Sequence, residues 1–104
     1  MQDLEQLEVL NQLFSLYETL LTQKQATYFK MYYFDDYSLQ EIADEFNLSR
    51  NAIFDQLKKV QNYLLEYEEK LKLLHNQNIR KEYFLQYDKT KDEKYLNLIR
   101  KMDQ

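Results

Sequence analysis

Three groups of residues in this 104-residue chain carry side chains able to do chemistry. The first is Ser49, Arg50, Asn51, Phe54, Asp55, Lys58 and Lys59. At helical spacing, positions 50, 51, 54, 55 and 58 share one side of a helix. Arginine and asparagine are the types that bond guanine and adenine edges. A serine at a helix start, with its hydroxyl, amide and dipole, favours a phosphate, and lysines neutralise neighbouring phosphates. The second group is acidic: Asp35 with Asp36, and Glu66, Glu68 and Glu69 beside Lys70 and Lys72. The aspartates fall where apolar periodicity breaks and read as loop and capping groups, not paired catalytic acids. The glutamates alternate with lysines and read as a solvated helix face, not a metal site. The third is His75, the single histidine, which reads as a surface group or a partner of a helix C-terminal dipole.

Composition removes most alternatives. Gly 0 excludes phosphate-cradling and dinucleotide-binding loops, which need positive φ and close backbone approach. Cys 0 removes thiolate zinc sites, thiol nucleophiles and disulfides, and one histidine leaves no two-histidine metal site. No metal, no cofactor and no enzymatic activity are therefore expected. Gly 0 and Pro 0 also leave few tight turns for strands, so the fold class is all-α, with more than about 70% helix against a globular norm near one third. The acidic N-terminal segment lacks signal-peptide character, and no apolar run approaches the roughly 20 residues of a membrane span. A cytoplasmic protein with no membrane partner is expected.

Charge is unevenly spread along a chain of net −4. Residues 1–22 hold Asp3, Glu5, Glu8 and Glu18 with no base, and residues 38–49 add Glu41, Asp44 and Glu45. Residues 50–60 reverse the sign, with Arg50, Lys58 and Lys59 against Asp55. Residues 76–104 carry 7 bases and 5 acids. This is an acidic body with two weakly basic segments, unlike a strongly basic nucleic-acid protein. Three bases near a groove give a salt slope of only about −3 per monomer, at about −0.9 for each phosphate neutralised.

The elements that must position these groups follow from periodicity. Leu10, Leu13, Phe14, Tyr17, Leu20 and Leu21 predict a first helix over about 3–21. Thr22 caps a second over 23–35, with Ala26, Phe29, Met31, Tyr32 and Tyr33 inward. Ser38 with Glu41 forms a capping box for a short helix that turns Leu39, Ile42, Ala43 and Phe46 inward. Asn47 tolerates the left-handed conformation of a helix end, and Ser49 caps a new helix from Arg50. Ile53, Leu57, Val60, Leu64, Tyr67, Leu71 and Leu74 then make a three-heptad seam. Leu64, Tyr67, Leu71 and Leu74 extend past the domain's own core and predict either a homodimer interface or cover by the C-terminal segment. Asn76-Gln77-Asn78 marks a break, with Ile79, Tyr83, Phe84 and Tyr87 inward after it. Thr90-Lys91-Asp92-Glu93 reads as a second capping box before Tyr95, Leu96, Ile99 and Met102.

Ser38 to Lys59 thus has the length and turn of a helix-turn-helix, with small Ala43 at the crossing and Ile42, Phe46, Leu48, Ile53 and Leu57 behind it. The division predicted is a helix-turn-helix domain over 1–75 and a helical appendage over 76–104. The run from Tyr32 through Ser38-Leu39-Gln40-Glu41-Ile42-Ala43 to Asp55, with Gln61–Leu73, resembles the YlxM family of small bacterial proteins. The likeness covers about residues 10–75. It implies a helix-turn-helix without a wing, like sigma-factor region 4, and an auxiliary role in the signal recognition particle pathway. Asn47 stands where glycine is common at that turn, and the second helix carries few bases. The expected function is a DNA-binding regulator, working as a homodimer through Ser49, Arg50, Asn51, Phe54, Asp55, Lys58 and Lys59. The alternative is a protein-interaction accessory of the signal recognition particle, touching its GTPase or RNA without sequence-specific DNA binding.

Overall fold

The computed structural model describes residues 3–104, of which 83% are helical and none is in a strand. Six helices follow in order: α1 (Leu4–Tyr17), α2 (Gln23–Tyr33), α3 (Leu39–Phe46), α4 (Arg50–Leu71), α5 (Leu73–Thr90) and α6 (Lys94–Met102). A single 3-10 turn, Glu18–Leu20, follows α1. The chain divides into two compact units, Met1–Lys70 and Leu71–Gln104.

Side-chain caps start the first three helices. Asp3 with Gln6, Thr22 with Gln25 and Ser38 with Glu41 each form a reciprocal box, satisfying amides that have no partner within the helix. At the third, the Glu41 amide donates to Ser38 Oγ at 3.0 Å while the Ser38 amide donates to Glu41 Oε1 at 3.0 Å. Thr22 needs extended backbone (ψ 158) to cap α2, so α1 cannot run on to residue 21 as the periodicity suggests. The 3-10 turn makes the exit, and Leu20, expected in the apolar stripe, is left exposed.

Two apolar clusters hold the first unit. Leu10, Leu13, Phe14 and Tyr17 of α1 are buried, and Phe14 stacks on Phe29 of α2 with centroids 4.3 Å apart. Phe34 meets both rings edge-on. Behind the turn, Tyr28, Ile42, Ala43, Ile53 and Leu57 form a buried cluster with Met31, Leu39 and Phe46 against it. Each fully buried aliphatic side chain there contributes about 1.5–3 kcal/mol. Leu48, expected among these residues, is 44% exposed instead. Its amide bonds the Ala43 carbonyl, which keeps the side chain with the turn rather than the core.

The second unit departs from the periodicity. The helix breaks at Lys72, which adopts φ 56 and ψ 32, and not after His75. α5 then passes through Asn76-Gln77-Asn78 unbroken, and His75 sits in its first turn. Asparagine costs only a few tenths of a kcal/mol inside a helix, so a polar triplet is weak punctuation. Thr90 closes α5 and does not cap α6; its hydroxyl donates back to the Gln86 carbonyl at 2.9 Å. The Lys94 amide bonds Asp92 Oδ1 at 2.9 Å, so no capping box forms there. α5 and α6 pack together, with Arg80 paired to Asp103 at 2.5 Å and Ile99 buried. Phe84, expected inward, is exposed.

Candidate nucleic-acid interface

The turn between α3 and α4 is built by one left-handed residue. Asn47 has φ 55 and ψ 45, and the Leu48 amide reaches the Ala43 carbonyl at 2.9 Å, as in a Schellman ending. Leu48 and Ser49 complete the connection. Ser49 Oγ accepts from the Ala52 amide at 3.1 Å and so caps α4, as the sequence predicts. Ala43 and Ile53 are fully buried where α3 and α4 meet the Tyr28 face of α2. A residue larger than alanine at 43 would push the two backbones apart.

With Ile53 and Leu57 turned inward, the opposite side of α4 is fixed by helical geometry. Ser49, Arg50, Asn51, Phe54, Asp55, Lys58 and Lys59 are all exposed, so the structure gathers the whole predicted set on the accessible surface of one helix. Arg50, Lys58 and Lys59 take part in none of the ion pairs among the described residues. Phe54 leaves half its surface (52%) in solvent, which is costly for an aromatic ring with no partner. Arginine at the first helical position stands beside the free amides of the N-terminus, where an anion is favoured.

Of the four residues of the predicted dimer seam, Leu64 and Leu74 are buried, Tyr67 is half-buried and Leu71 is exposed. Leu64 is fully buried. Tyr67 is half-buried, lies 5.9 Å from the Tyr17 ring, and donates its hydroxyl to the Leu20 carbonyl at 3.3 Å. Leu71 is 50% exposed and Leu74 is buried, on either side of the break at Lys72. Six of the seven residues lie on α4, and Leu74 falls past the left-handed Lys72, in α5. Glu68, taken from sequence as part of a solvated face, is half-buried and accepts the hydroxyl of fully buried Tyr17 at 2.7 Å. The two residues are 51 apart, and no local pattern signals the pairing. Glu66 and Lys70 do form an exposed pair at 2.8 Å, which raises the lysine's pKa.

Beside the exposed face of α4 runs an open groove of about 840 Å³ within the first unit. Tyr32, Tyr33 and Tyr37, Phe54 and Lys58 of α4, and Asp36 and Glu41 are among its lining residues. Asp36 holds φ 62, in the loop the sequence predicts. Burial, with the neighbouring Tyr32 second, pushes the Tyr33 hydroxyl above its ordinary pKa of 10.0. Among the described residues, no group of three or more histidine or acidic side chains is placed to hold a metal, and no helix is long and apolar enough to cross a membrane.

Comparison with known proteins places this geometry in a family. The profile of the UPF0122 family, described as "Putative helix-turn-helix protein, YlxM / p13 like", matches residues 4–104. A UPF0122 protein of Lactococcus lactis subsp. cremoris is 50% identical over 78 residues, covering 75% of this chain and 70% of that protein. The UPF0122 protein YofM of Lactococcus lactis subsp. lactis is similar to the same extent. A UPF0122 protein of Bacillus cereus is 54% identical over 71 residues, covering 68% of this chain and 64% of that protein. The resemblance carried by Tyr32–Asp55 thus extends through the second unit, and the chain belongs to the UPF0122 family of YlxM/p13-like helix-turn-helix proteins.

Proposed function

We propose that this protein is a DNA-binding regulator of the cytoplasm, without catalytic activity, that enters the major groove with the N-terminal half of α4. The observation that carries the reading is the exposed set Asn51, Phe54 and Lys58, with Arg50 exposed in the first turn, on a helix anchored in the core by Ile53 and Leu57. In this role Ser49 and the first amides of α4 hold a phosphate, Arg50 and Asn51 contact base edges, and Lys58 and Lys59 meet the backbone. Phe54 gives apolar contact to a thymine methyl, and Asp55 disfavours acceptor edges opposite it. Paired half-sites call for a homodimer, and with Leu64 and Tyr67 already packed within the chain, self-association falls to other exposed surface.

Charge favours a second reading. Residues 1–70 hold 13 acids and 6 bases, a net −7 that repels phosphates beyond the immediate face of α4. A protein contact suits that field better than extended DNA wrapping. Under this reading the chain is an accessory of the signal recognition particle and contacts its GTPase or RNA, as the family resemblance implies. Mobility shifts against genomic fragments, run beside pull-downs with the particle's components, separate the two. DNA binding lost in Arg50→Ala supports the first. Absence of any shift at low salt, with capture of the GTPase or RNA by wild type and Arg50→Ala alike, overturns it in favour of the second.

A further inference from the structure

The groove beside α4 points to an occupant that is neither DNA nor the rest of this unit. Its lining combines three tyrosines, Tyr32, Tyr33 and Tyr37, with Phe54 from α4. Tyr32, Tyr37 and Phe54 are each at least 37% exposed, an unusual concentration of aromatic surface on one small face. Two carboxylates, Asp36 and Glu41, also line it against one cation, Lys58, in a unit of net −7. Glu41 uses one oxygen to cap α3, and Asp36 enters none of the ion pairs among the described residues. Tyrosine faces next to a carboxylate attract ammonium or guanidinium groups, by ring quadrupole and by charge together. A groove lined by aromatic and aliphatic side chains with carboxylates among them suits an amphipathic helix, which presents side chains at i, i+3, i+4 and i+7.

We infer that this groove docks a cationic amphipathic helix of a partner protein. Its apolar side chains would lie against Tyr37 and Phe54, and a lysine or arginine would lie over the tyrosines toward Asp36. Phe54 and Lys58 belong to both the groove and the exposed face of α4. An occupied groove therefore removes two contacts from nucleic acid, so the partner and DNA compete. This consequence alone rests on the DNA-binding reading; the docking itself does not.

The test is fluorescence polarisation of the full chain with a labelled helical peptide of leucine and lysine. Its leucine–glutamate counterpart serves as the charge-reversed probe. The cationic peptide is expected to bind, and the anionic one to bind at least tenfold more weakly. Asp36→Asn keeps a residue tolerant of positive φ and is expected to weaken the cationic peptide several-fold, as is Phe54→Ala. Glu45→Gln removes the same charge from an exposed position of α3 outside the groove and should leave binding unchanged. Equal binding of both peptides, or equal loss in Asp36→Asn and Glu45→Gln, overturns the assignment. Self-association abolished by Phe54→Ala, without peptide binding, overturns it in favour of a second copy. Unlabelled peptide should release DNA from wild type at several-fold lower concentration than from Asp36→Asn, a difference that direct binding of the peptide to DNA does not produce. If DNA never binds while the peptide arm holds, the regulatory reading of α4 fails and the docking stands.

Discussion

Asn47 holds a left-handed backbone in a chain with no glycine, and the whole placement of α4 turns on it. Asparagine pays less than other side chains for that conformation, and glycine pays nothing. Asn47→Gly should therefore leave stability unchanged or raised by a few tenths of a kcal/mol, whereas Asn47→Val should cost about 1–2 kcal/mol in urea unfolding. Neighbours Ile53 and Phe54 separate core from surface in a single step. Ile53→Ala should cost about 2–5 kcal/mol, as removal of a fully buried aliphatic chain does, while Phe54→Ala should leave the midpoint nearly unmoved. Tyr33 supplies a pH dependence. Its folded pKa is raised, so the protonated phenol's contribution is fully present below pH 10.0 and is lost as pH climbs through the folded value. The stability of Tyr33→Phe should accordingly fall less steeply than wild type on alkaline titration; identical slopes would refute the assignment.

At the scale of elements, α4 is where local pattern and tertiary packing part company. The heptad seam from Ile53 suggests a partner chain, yet Tyr17 and Leu20 of the same chain engage Tyr67 and Glu68 toward the end of α4. Leu64→Asp should therefore unfold the first unit, seen as loss of the cooperative helical transition by circular dichroism. A folded monomer in that variant would mean that Leu64 is not a core residue. Caps act more locally: Ser38→Ala should lower stability by about 1 kcal/mol through the start of α3. The turn region was readable in the sequence because its signals are local. Ser38 with Glu41, Asn47 and Ser49 each act within four residues, and the structure has all of them in the inferred roles. The Tyr17–Glu68 bond, the inward turn of Tyr28 and the aromatic groove depend on residues far apart in the chain, which periodicity does not encode. The break at Lys72 was hidden for another reason. Lysine is a good helix former, and nothing in its type announces a left-handed residue.

For the whole molecule, charge decides how strongly nucleic acid can be held. The first unit is net −7, while residues 71–104 hold 8 bases and 5 acids, a net +3. Binding through Arg50, Lys58 and Lys59 should show a salt slope of about −3 per monomer, and replacing Lys59 by alanine should flatten it by about 0.9. A slope far steeper would assign the phosphate contacts to the second unit instead. On the proposed reading, affinity then comes from base contacts by the α4 face more than from the backbone. Selection of bound duplexes from a random DNA library tests that claim most directly. A recurring sequence is expected to be enriched by the wild type and lost with Arg50→Ala, at unchanged thermal stability. Failure to enrich any sequence, or the same enrichment by Arg50→Ala, would contradict it.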